Sequence, residues 1–261
     1  MLEPAAPLLV HRDGRGVVRL TLNRPASRNA LSRELLTCLA AALDDLAADG
    51  SVRAFVLAAN GVAFSAGHDL REVGAADEES ARSLFGLCTS VMMRLRRLPV
   101  PVIASVQGAA VAAGCQLAAT ADLAVAAESA IFGTPGVKVG LFCATPMVPL
   151  ARAVPPKVAL EMLLTGGTLT ARRAFELGLV NRVVPLDRLD EAVEELVGSI
   201  LSAAPGAVRV GKAAYYETIE MGEVEAYGHA TARIACDAAG AEAREGIAAF
   251  LEKRRPEWPQ A

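Results

Sequence analysis

Residues 102–120 read VIASVQGAAVAAGCQLAAT, and this stretch decides the fold. Its first five residues form an apolar run directly after Pro101, which is typical of a short buried strand. Residues 108–114 are almost all small and predict a tight loop, and residues 115–120 predict the start of a short helix. The stretch therefore predicts a strand, a loop and a helix in succession.

The same order of elements occurs upstream. Residues 54–58 predict another buried strand, residues 60–67 a loop of small residues, and residues 78–98 an amphipathic helix. Residues 16–22 alternate as a strand does, and Ser32 is the expected N-cap of the helix that follows. Residues 122–126 predict a fourth strand. Strands that alternate with helices predict an α/β fold with crossover connections.

The C-terminal part of the chain has a different pattern. Helical periodicity dominates from Lys157 onward, including residues 187–203, and residues 244–254 place Ile247, Phe250 and Leu251 on one side of a helix. Neither an internal repeat nor a low-complexity linker separates the two parts. We therefore predict a single domain over residues 1–261, with an α/β core to about residue 190 and a helical region over about 191–261.

Composition excludes several classes of protein. The 261 residues are 53% hydrophobic and carry a net charge of −3 without a basic block, so nucleic acid is not an expected partner. Apolar runs stay short of the roughly 20 residues that a membrane span needs, so a membrane partner is not expected either. Residues 1–4 lack the basic and apolar regions of a secretory signal. The sequence predicts a soluble, cytoplasmic protein.

Cysteine and histidine usage argues against disulfides and metals. The five cysteines are odd in number and contain no Cys-x-x-Cys pair. The three histidines have no partner at a familiar metal-ligand spacing, so no metal site is expected. The sequence also lacks the Gly-rich phosphate loops of nucleotide-binding proteins.

Two loops of small residues are the candidate functional elements. They span residues 64–70 and 107–115, and each lies between a predicted strand and a predicted helix. Small side chains let a ligand approach the main chain, and amides near a helix N-terminus stabilise negative charge. In a single loop of this kind, small residues more often serve tight packing than ligand binding. Together, the two loops could form an oxyanion hole.

The combination of motifs resembles the enoyl-CoA hydratase/isomerase family, also called the crotonase family. The matching stretches lie in the family's order along most of the chain, at residues 22–25, 29–31, 64–69, 106–117, 132–135, 245–247 and 250–254. The resemblance implies a crotonase-like spiral of ββα units with a C-terminal helical trimerisation region. It also implies a homotrimer or a hexamer made of two trimers.

The resemblance further implies an acyl-CoA thioester as ligand, with no cofactor beyond its CoA moiety. The amides of His68 and Ala113 would form the oxyanion hole. Two loops would line the CoA site through Arg24, Pro25, Ala26, Ser27, Ala66, Gly67, Asp69 and Leu70. Phe250 and Lys253 would reach the CoA of a neighbouring subunit.

The chain departs from the family at both glutamates that add water in hydratases. Gln116 and Gly136 stand at those positions, and neither side chain can transfer a proton. The sequence therefore predicts enolate stabilisation without hydration by paired glutamates.

An enzyme that decarboxylates methylmalonyl-CoA is one alternative, because it shares the Ser-Ala-Gly-His-Asp loop and needs no base. Against this alternative, Cys143 stands where such enzymes place a tyrosine near the carboxylate, and Cys143 is therefore a substrate-binding candidate. A non-catalytic acyl-CoA-binding protein is the other alternative.

Four side chains near these loops have simpler roles available to them. Asp69 is expected to cap the helix that follows rather than to act as a base. Cys115 and Cys143 are expected to be small buried side chains rather than nucleophiles, since no histidine lies near them in sequence. The His68 ring is expected to matter less than its amide.

Overall fold

The computed structural model of the chain describes residues 6–259. The N-terminal residues 1–4, which argue against a secretory signal, lie outside the described residues. So do the first and last residues of the predicted single domain. The prediction of one domain, divided at about residue 190, stays a prediction.

All described strands lie before residue 185, where they alternate with helices, and from there to residue 259 the described chain contains helices only. The described strands are β1 (Leu8–Arg12), β2 (Val17–Leu22), β3 (Ala54–Ala59), β4 (Ala63–Ser65), β5 (Val102–Val106), β6 (Ala109–Val111), β7 (Leu123–Ala127), β8 (Ile131–Gly133), β9 (Thr168–Thr170) and β10 (Arg182–Val184). The described α-helices are α1 (Arg33–Ala47), α2 (Leu70–Ala75), α3 (Glu78–Arg97), α4 (Ala113–Thr120), α5 (Ala144–Ala153), α6 (Pro156–Thr165), α7 (Ala171–Glu176), α8 (Leu189–Ser202), α9 (Pro205–Thr218), α10 (Glu223–Ala238) and α11 (Ala241–Leu251). Three 3₁₀ turns cover Pro25–Ser27, Pro135–Val139 and Leu186–Arg188.

Within residues 6–259 the strands form two sheets. The larger sheet has the order β1-β2-β3-β5-β7-β10, and its strands are parallel apart from the antiparallel pair β1 and β2. The smaller sheet has the order β4-β6-β8-β9. Strands β3, β5 and β7 of the larger sheet are each followed by a strand of the smaller sheet and then by a helix. This repetition confirms the predicted spiral of ββα units.

Side chains of the central strands are buried on both faces of the larger sheet. Along β3, Phe55 and Leu57 pack into the main core with helices α1 and α3, whereas Val56 between them joins a second cluster. That second cluster is formed with α8 through Val193 and Val197. Successive residues of a strand point to opposite faces, so one short apolar run supplies both cores.

Capping residues and a following proline mark the ends of helices where the sequence predicts them. Ser32 caps α1, where its hydroxyl accepts a hydrogen bond from the amide of Leu35. Asp77 caps α3 in the same way, and α3 ends at Arg97, two residues before Pro99. The predicted strands over 54–58 and 122–126 are β3 and β7, each displaced by no more than one residue at an end.

The two segments predicted to be loops each contain a short strand of the smaller sheet, so those predictions were wrong in part. The loop over 60–67 contains β4, the loop over 108–114 contains β6, and α4 begins at Ala113 rather than at Cys115. Strands of three residues show too little alternation to be recognised from sequence. They form here because each pairs with a neighbour that is distant along the chain.

The last three helices are less buried than the core. Ala249 is their one buried residue within the described chain, while Phe250 and Leu251 at the end of α11 are 83% and 73% exposed. The predicted apolar side of residues 244–254 is therefore open to solvent in a single chain.

Helix α9 is attached to the larger sheet through Asp122, which lies between α4 and β7. The Nζ atom of Lys212 is 2.7 Å from Oδ2 of Asp122, and the two side chains are largely buried, with 7% and 15% of their surface exposed. The hydroxyl of Tyr216 donates to Oδ1 at 2.8 Å, and the amide of Val102 donates to Oδ2 at 2.7 Å. Lys212 also donates to the carbonyl of Val100 at 3.0 Å. A buried carboxylate thus has a cation and two hydrogen-bond donors.

Candidate active site

The two small-residue loops touch each other at glycines. Gly67 has a φ of +89°, and a methyl group there would lie 2.8 Å from the Cβ atom of Ala112 and 3.2 Å from the nitrogen of Ala113. A methyl group at Gly114 would lie 2.2 Å from the carbonyl oxygen of Ser65. Neither position has room for a side chain, so the glycines bring the backbone after β4 against the start of α4.

This contact places Gly67, the residue before His68, against the nitrogen of Ala113, so the amides of His68 and Ala113 are neighbours. Ala113 is the first residue of α4, so its N–H group has no acceptor within the helix. Ala112 adopts a φ of +49° and donates its own amide to the carbonyl of Gly133 at 2.8 Å, which fixes the turn. The hydrogen bonds of residues 6–259 include none that the His68 or Ala113 amide donates. The fold thus supplies two neighbouring donors without internal acceptors.

Buried polar side chains hold the first loop in place. The Asn29 side chain is fully buried and donates to the carbonyls of Asn60 and Ala63, both at 2.8 Å. The hydroxyl of Ser65 donates to the carbonyl of Asn29 at 2.9 Å and accepts from the amide of Gly67 at 3.2 Å. These positioning residues were not among the predicted site residues. Ser65 stands two residues before Gly67 in the predicted small-residue loop, whereas Asn29 has no glycine near it in sequence.

The His68 ring is enclosed beside its own amide. Its plane meets that of Phe85 edge-on, with the ring centroids 5.0 Å apart. Both ring nitrogens are buried, and among the described residues they have no hydrogen-bond partner. Burial lowers the pKa of His68 from its usual 6.5, which keeps the imidazole neutral near pH 7.

The lowered pKa of His68 predicts a pH-dependent stability. The unfolded chain binds a proton at a higher pH than the folded chain, so the free energy of unfolding should fall as the pH drops below about 6.5. Denaturant titrations between pH 7.5 and 5 measure this slope. His68→Gln, which keeps the amide, should flatten it, whereas His11→Gln at an exposed position should not. Equal slopes in all three proteins would contradict the assignment.

Most of the residues that the resemblance assigns to a CoA site line one cleft of about 790 Å³. They are Arg24, Pro25, Ala26, Ser27, Ala66, His68, Asp69 and Leu70. Arg24 donates to the carbonyl of Ala30 at 2.7 Å and lies 3.4 Å from a carboxylate oxygen of Asp69. Asp69 also accepts from the amide of Arg71, so it is the N-cap of α2, as expected.

Gly67 is buried at the contact with α4, where no side chain could line the cleft. Phe250 and Lys253 lie at the end of α11 and do not line the cleft within the described chain. A single chain therefore does not bring these two residues to the other predicted site residues.

The positions of the family's two glutamates have different surroundings. Gln116 lies three residues after Ala113 on α4, is 3% exposed, and has an Oε1 atom that is buried without a partner among the described residues. At Gly136 a methyl group would lie 2.4 Å from the carbonyl oxygen of Leu141 and 2.8 Å from Sγ of Cys143. The turn around Gly136 thus closes the space that a glutamate side chain would need.

The two cysteines near the loops are protonated thiols. Burial raises the pKa of Cys115 to about 12, and burial likewise raises the pKa of Cys143. A nucleophilic cysteine needs a lowered pKa, so the structure favours the predicted packing role for both. Cys143 precedes α5 and fills the space beside Gly136.

The described part of the chain contains neither a membrane-spanning helix nor a cluster of metal ligands. No helix there is both long enough and apolar enough to cross a membrane. No group of three or more histidine, cysteine or acidic side chains is arranged there to hold a metal ion.

Comparison with known proteins identifies the class. The profile of the family described as "Enoyl-CoA hydratase/isomerase" matches residues 12–261, and the chain belongs to this family. An enoyl-CoA hydratase structure from Mycobacterium smegmatis superposes with a TM-score of 0.96 at 52% identity, covering 98% of this chain and 99% of that one.

Within the family, the chain is similar to enoyl-CoA hydratase domain-containing protein 3. The mitochondrial rat protein is 41% identical over 98% of this chain and 87% of its own length. The human structure has a TM-score of 0.91 at 42% identity, covering 97% of this chain and 100% of that one. These neighbours confirm the predicted crotonase fold. The cytoplasmic location stays a prediction.

Proposed function

We propose that this protein binds an acyl-CoA thioester and stabilises its enolate with the backbone amides of His68 and Ala113. The pair of neighbouring amides without internal acceptors carries the proposal. When a thioester carbonyl becomes an enolate, negative charge moves onto its oxygen, and two fixed donors stabilise that state more than the ground state. Family membership supports the choice of ligand.

Hydration by paired glutamates is not the reaction we propose. The amide of Gln116 neither accepts nor delivers a proton, and the turn at Gly136 has no room for an acidic side chain. General acid–base catalysis typically contributes about 10²- to 10⁴-fold, so hydration would lose this factor.

Decarboxylation of a malonyl-type thioester is the second candidate. The observation that favours it is the replacement of both acids, since this reaction forms the enolate without removing a proton. The bond between the α-carbon and the carboxylate breaks, its electron pair passes into the enolate, and carbon dioxide leaves. A proton from solvent then completes the product.

Infrared spectroscopy of a bound thioester tests the proposal directly. Butyryl-CoA with a ¹³C-labelled carbonyl should show a lower carbonyl stretching frequency when bound, because two hydrogen bonds polarise the C=O bond. Absence of both the frequency shift and any thermal stabilisation by the ligand would overturn the proposal.

Mass analysis then identifies the reaction. Incubation with crotonyl-CoA reveals gain of water, and incubation with methylmalonyl-CoA reveals loss of carbon dioxide. A carbonyl shift without either product would identify a binding protein that performs neither reaction. Gain of water at an enzymatic rate would contradict our exclusion of hydration.

We further propose that the C-terminal helices assemble the protein into a trimer or a hexamer. The exposed apolar side chains of these helices support this assembly, with Val224 and Phe250 more than 80% exposed. Sedimentation velocity measures the stoichiometry. Phe250→Ser should shift the distribution toward the monomer, whereas Val62→Ser, at an exposed loop outside these helices, should not. A monomer in the unchanged protein would overturn this proposal.

A further inference from the structure

A second cavity, of about 640 Å³, has Gln116 in its lining and shares no lining residue with the cleft at Arg24. Gln116 is one helical turn from Ala113, so the cavity starts close to the candidate oxyanion donors. Helices α3, α4, α5 and α9 form its walls. A chain attached to a thioester at the donors would have this space beside it.

Two of these helices contribute matching rows of side chains. Helix α3 provides Thr89, Met92, Met93 and Arg96, and helix α5 provides Thr145, Val148, Pro149 and Arg152. Both rows have the spacing i, i+3, i+4 and i+7, which is one face of a helix. Each row extends about 10 Å and runs from a threonine through two apolar side chains to an arginine.

Both rows lead away from the candidate active site. Phe85, which precedes the row on α3, contacts the His68 ring, and Cys143, which precedes α5, lies against Gly136. At the other end, Arg96 and Arg152 lie 3.8 Å and 3.2 Å from the same oxygen of Glu220. Gln116 is thus the residue of the candidate site that lines the cavity, and two guanidinium groups line it at the C-terminal ends of α3 and α5.

The charge at the far end of the cavity is positive. Lys212 and Asp122 also line the cavity but pair with each other, which leaves Arg96 and Arg152 as the remaining cations of the lining. Arg96 is fixed by stacking on the ring of Tyr216, with 4.4 Å between its guanidinium carbon and the ring centroid. Such an end favours an anion over a methyl group.

The chain itself shows that these arginines accept a carboxylate. The Glu220 side chain is 62% exposed, so solvent screens its ion pairs with Arg96 and Arg152 and makes them weak. A carboxylate that enters through the cavity could therefore replace Glu220 at little cost. Arginine suits this role because its planar group matches the geometry of a carboxylate.

We infer that the second cavity receives the acyl chain and that Arg96 and Arg152 bind a carboxylate at its far end. The ligand class is the CoA monothioester of an α,ω-dicarboxylic acid. This inference rests on the proposed function, since it places the thioester at His68 and Ala113. In this inference Arg96 and Arg152 determine specificity, because they recognise the carboxylate at the end of the acyl chain.

Isothermal titration with matched thioesters tests the inference. Each pair has the same chain length, from four to ten carbons, and ends in either a methyl group or a carboxylate. At the length that fits the cavity, the carboxylate-ended ligand should bind a few-fold more tightly than its methyl-ended partner, up to about five-fold, because the two arginines are partly exposed to solvent. Equal affinity at every length would overturn the inference.

Substitutions distinguish this inference from the proposed function. The double variant R96M/R152M should lose the preference for the carboxylate but still bind the methyl-ended ligand. E220Q should strengthen binding of the carboxylate-ended ligand alone, because it removes the competing carboxylate without altering either arginine. Arg94→Met is the matched control, since Arg94 pairs with Asp44 and does not line the cavity within the described chain.

Each outcome of these experiments tests either the proposed function or the inference about the chain end. If no thioester of either kind binds, the proposed function fails. If methyl-ended thioesters bind and the preference is absent, or persists in R96M/R152M, only the inference about the chain end fails. Should R96M/R152M not fold, E220Q still decides, because an unchanged ratio of the two affinities would overturn the inference.

Discussion

Replacing Lys212 with methionine is expected to lower the free energy of unfolding by about 3–5 kcal/mol. The substitution leaves the carboxylate of Asp122 buried without its cation, and the hydrogen bonds from Tyr216 and Val102 do not compensate for the lost charge. Because Asp122 links α4 to β7 and Lys212 lies on α9, the loss should also loosen the C-terminal helices. Urea denaturation followed by circular dichroism measures the effect.

Two variants control this prediction. Lys157→Met removes an exposed lysine and should change the free energy of unfolding by no more than about 0.5 kcal/mol. The double variant Lys212→Met/Asp122→Asn should recover part of the loss, since the uncompensated buried charge is gone while the side chain at 122 still forms hydrogen bonds. A Lys212→Met protein as stable as Lys157→Met would contradict the importance of this ion pair.

Replacing Gly67 with alanine is expected to disable the candidate oxyanion hole. The new methyl group would lie 2.8 Å from Cβ of Ala112, and the φ of +89° disfavours any residue with a Cβ atom. The loop must move, and the His68 amide moves with it. Loss of one such donor typically costs about 10²- to 10³-fold in rate. Turnover of any thioester that the unchanged protein converts should fall by this factor.

The infrared carbonyl shift provides a readout that does not depend on turnover. Gly67→Ala should lose most of the shift of bound ¹³C-labelled butyryl-CoA. Gly74→Ala is the matched control, because Gly74 lies on α2 with nothing near its added methyl group and should leave both readouts unchanged. If Gly67→Ala keeps the full infrared shift, the ligand carbonyl does not accept a hydrogen bond from the His68 amide, and the proposed site is wrong.

Much of the larger sheet could be predicted from the sequence because its signals are local. The apolar runs of β3, β5 and β7 are long enough to identify strands, and Ser32 marks the start of α1. The strands of the smaller sheet could not be predicted, since a three-residue strand has no periodicity of its own. Their pairing partners come from other ββα units.

Some features of the candidate site could likewise be predicted from the sequence, and others could not. The sequence predicted that two small-residue loops lie between strands and helices, and that Gln116 and Gly136 replace acidic residues. It did not reveal that Asn29 and Ser65 hold the first loop, because their roles depend on carbonyl groups that come close only in the folded chain. Nor did it reveal that the turn at Gly136 excludes a larger side chain.

The sequence by itself determined the class of the protein, the central strands and the chemical limits of its site, since residue types and short periodicities carry that information. Only the tertiary structure decided that Gly67 meets Ala112, that Asp122 pairs with Lys212, and that Arg96 and Arg152 line a common cavity. These contacts join residues far apart along the chain. They form through packing of the ββα units and the C-terminal helices, which no local pattern encodes.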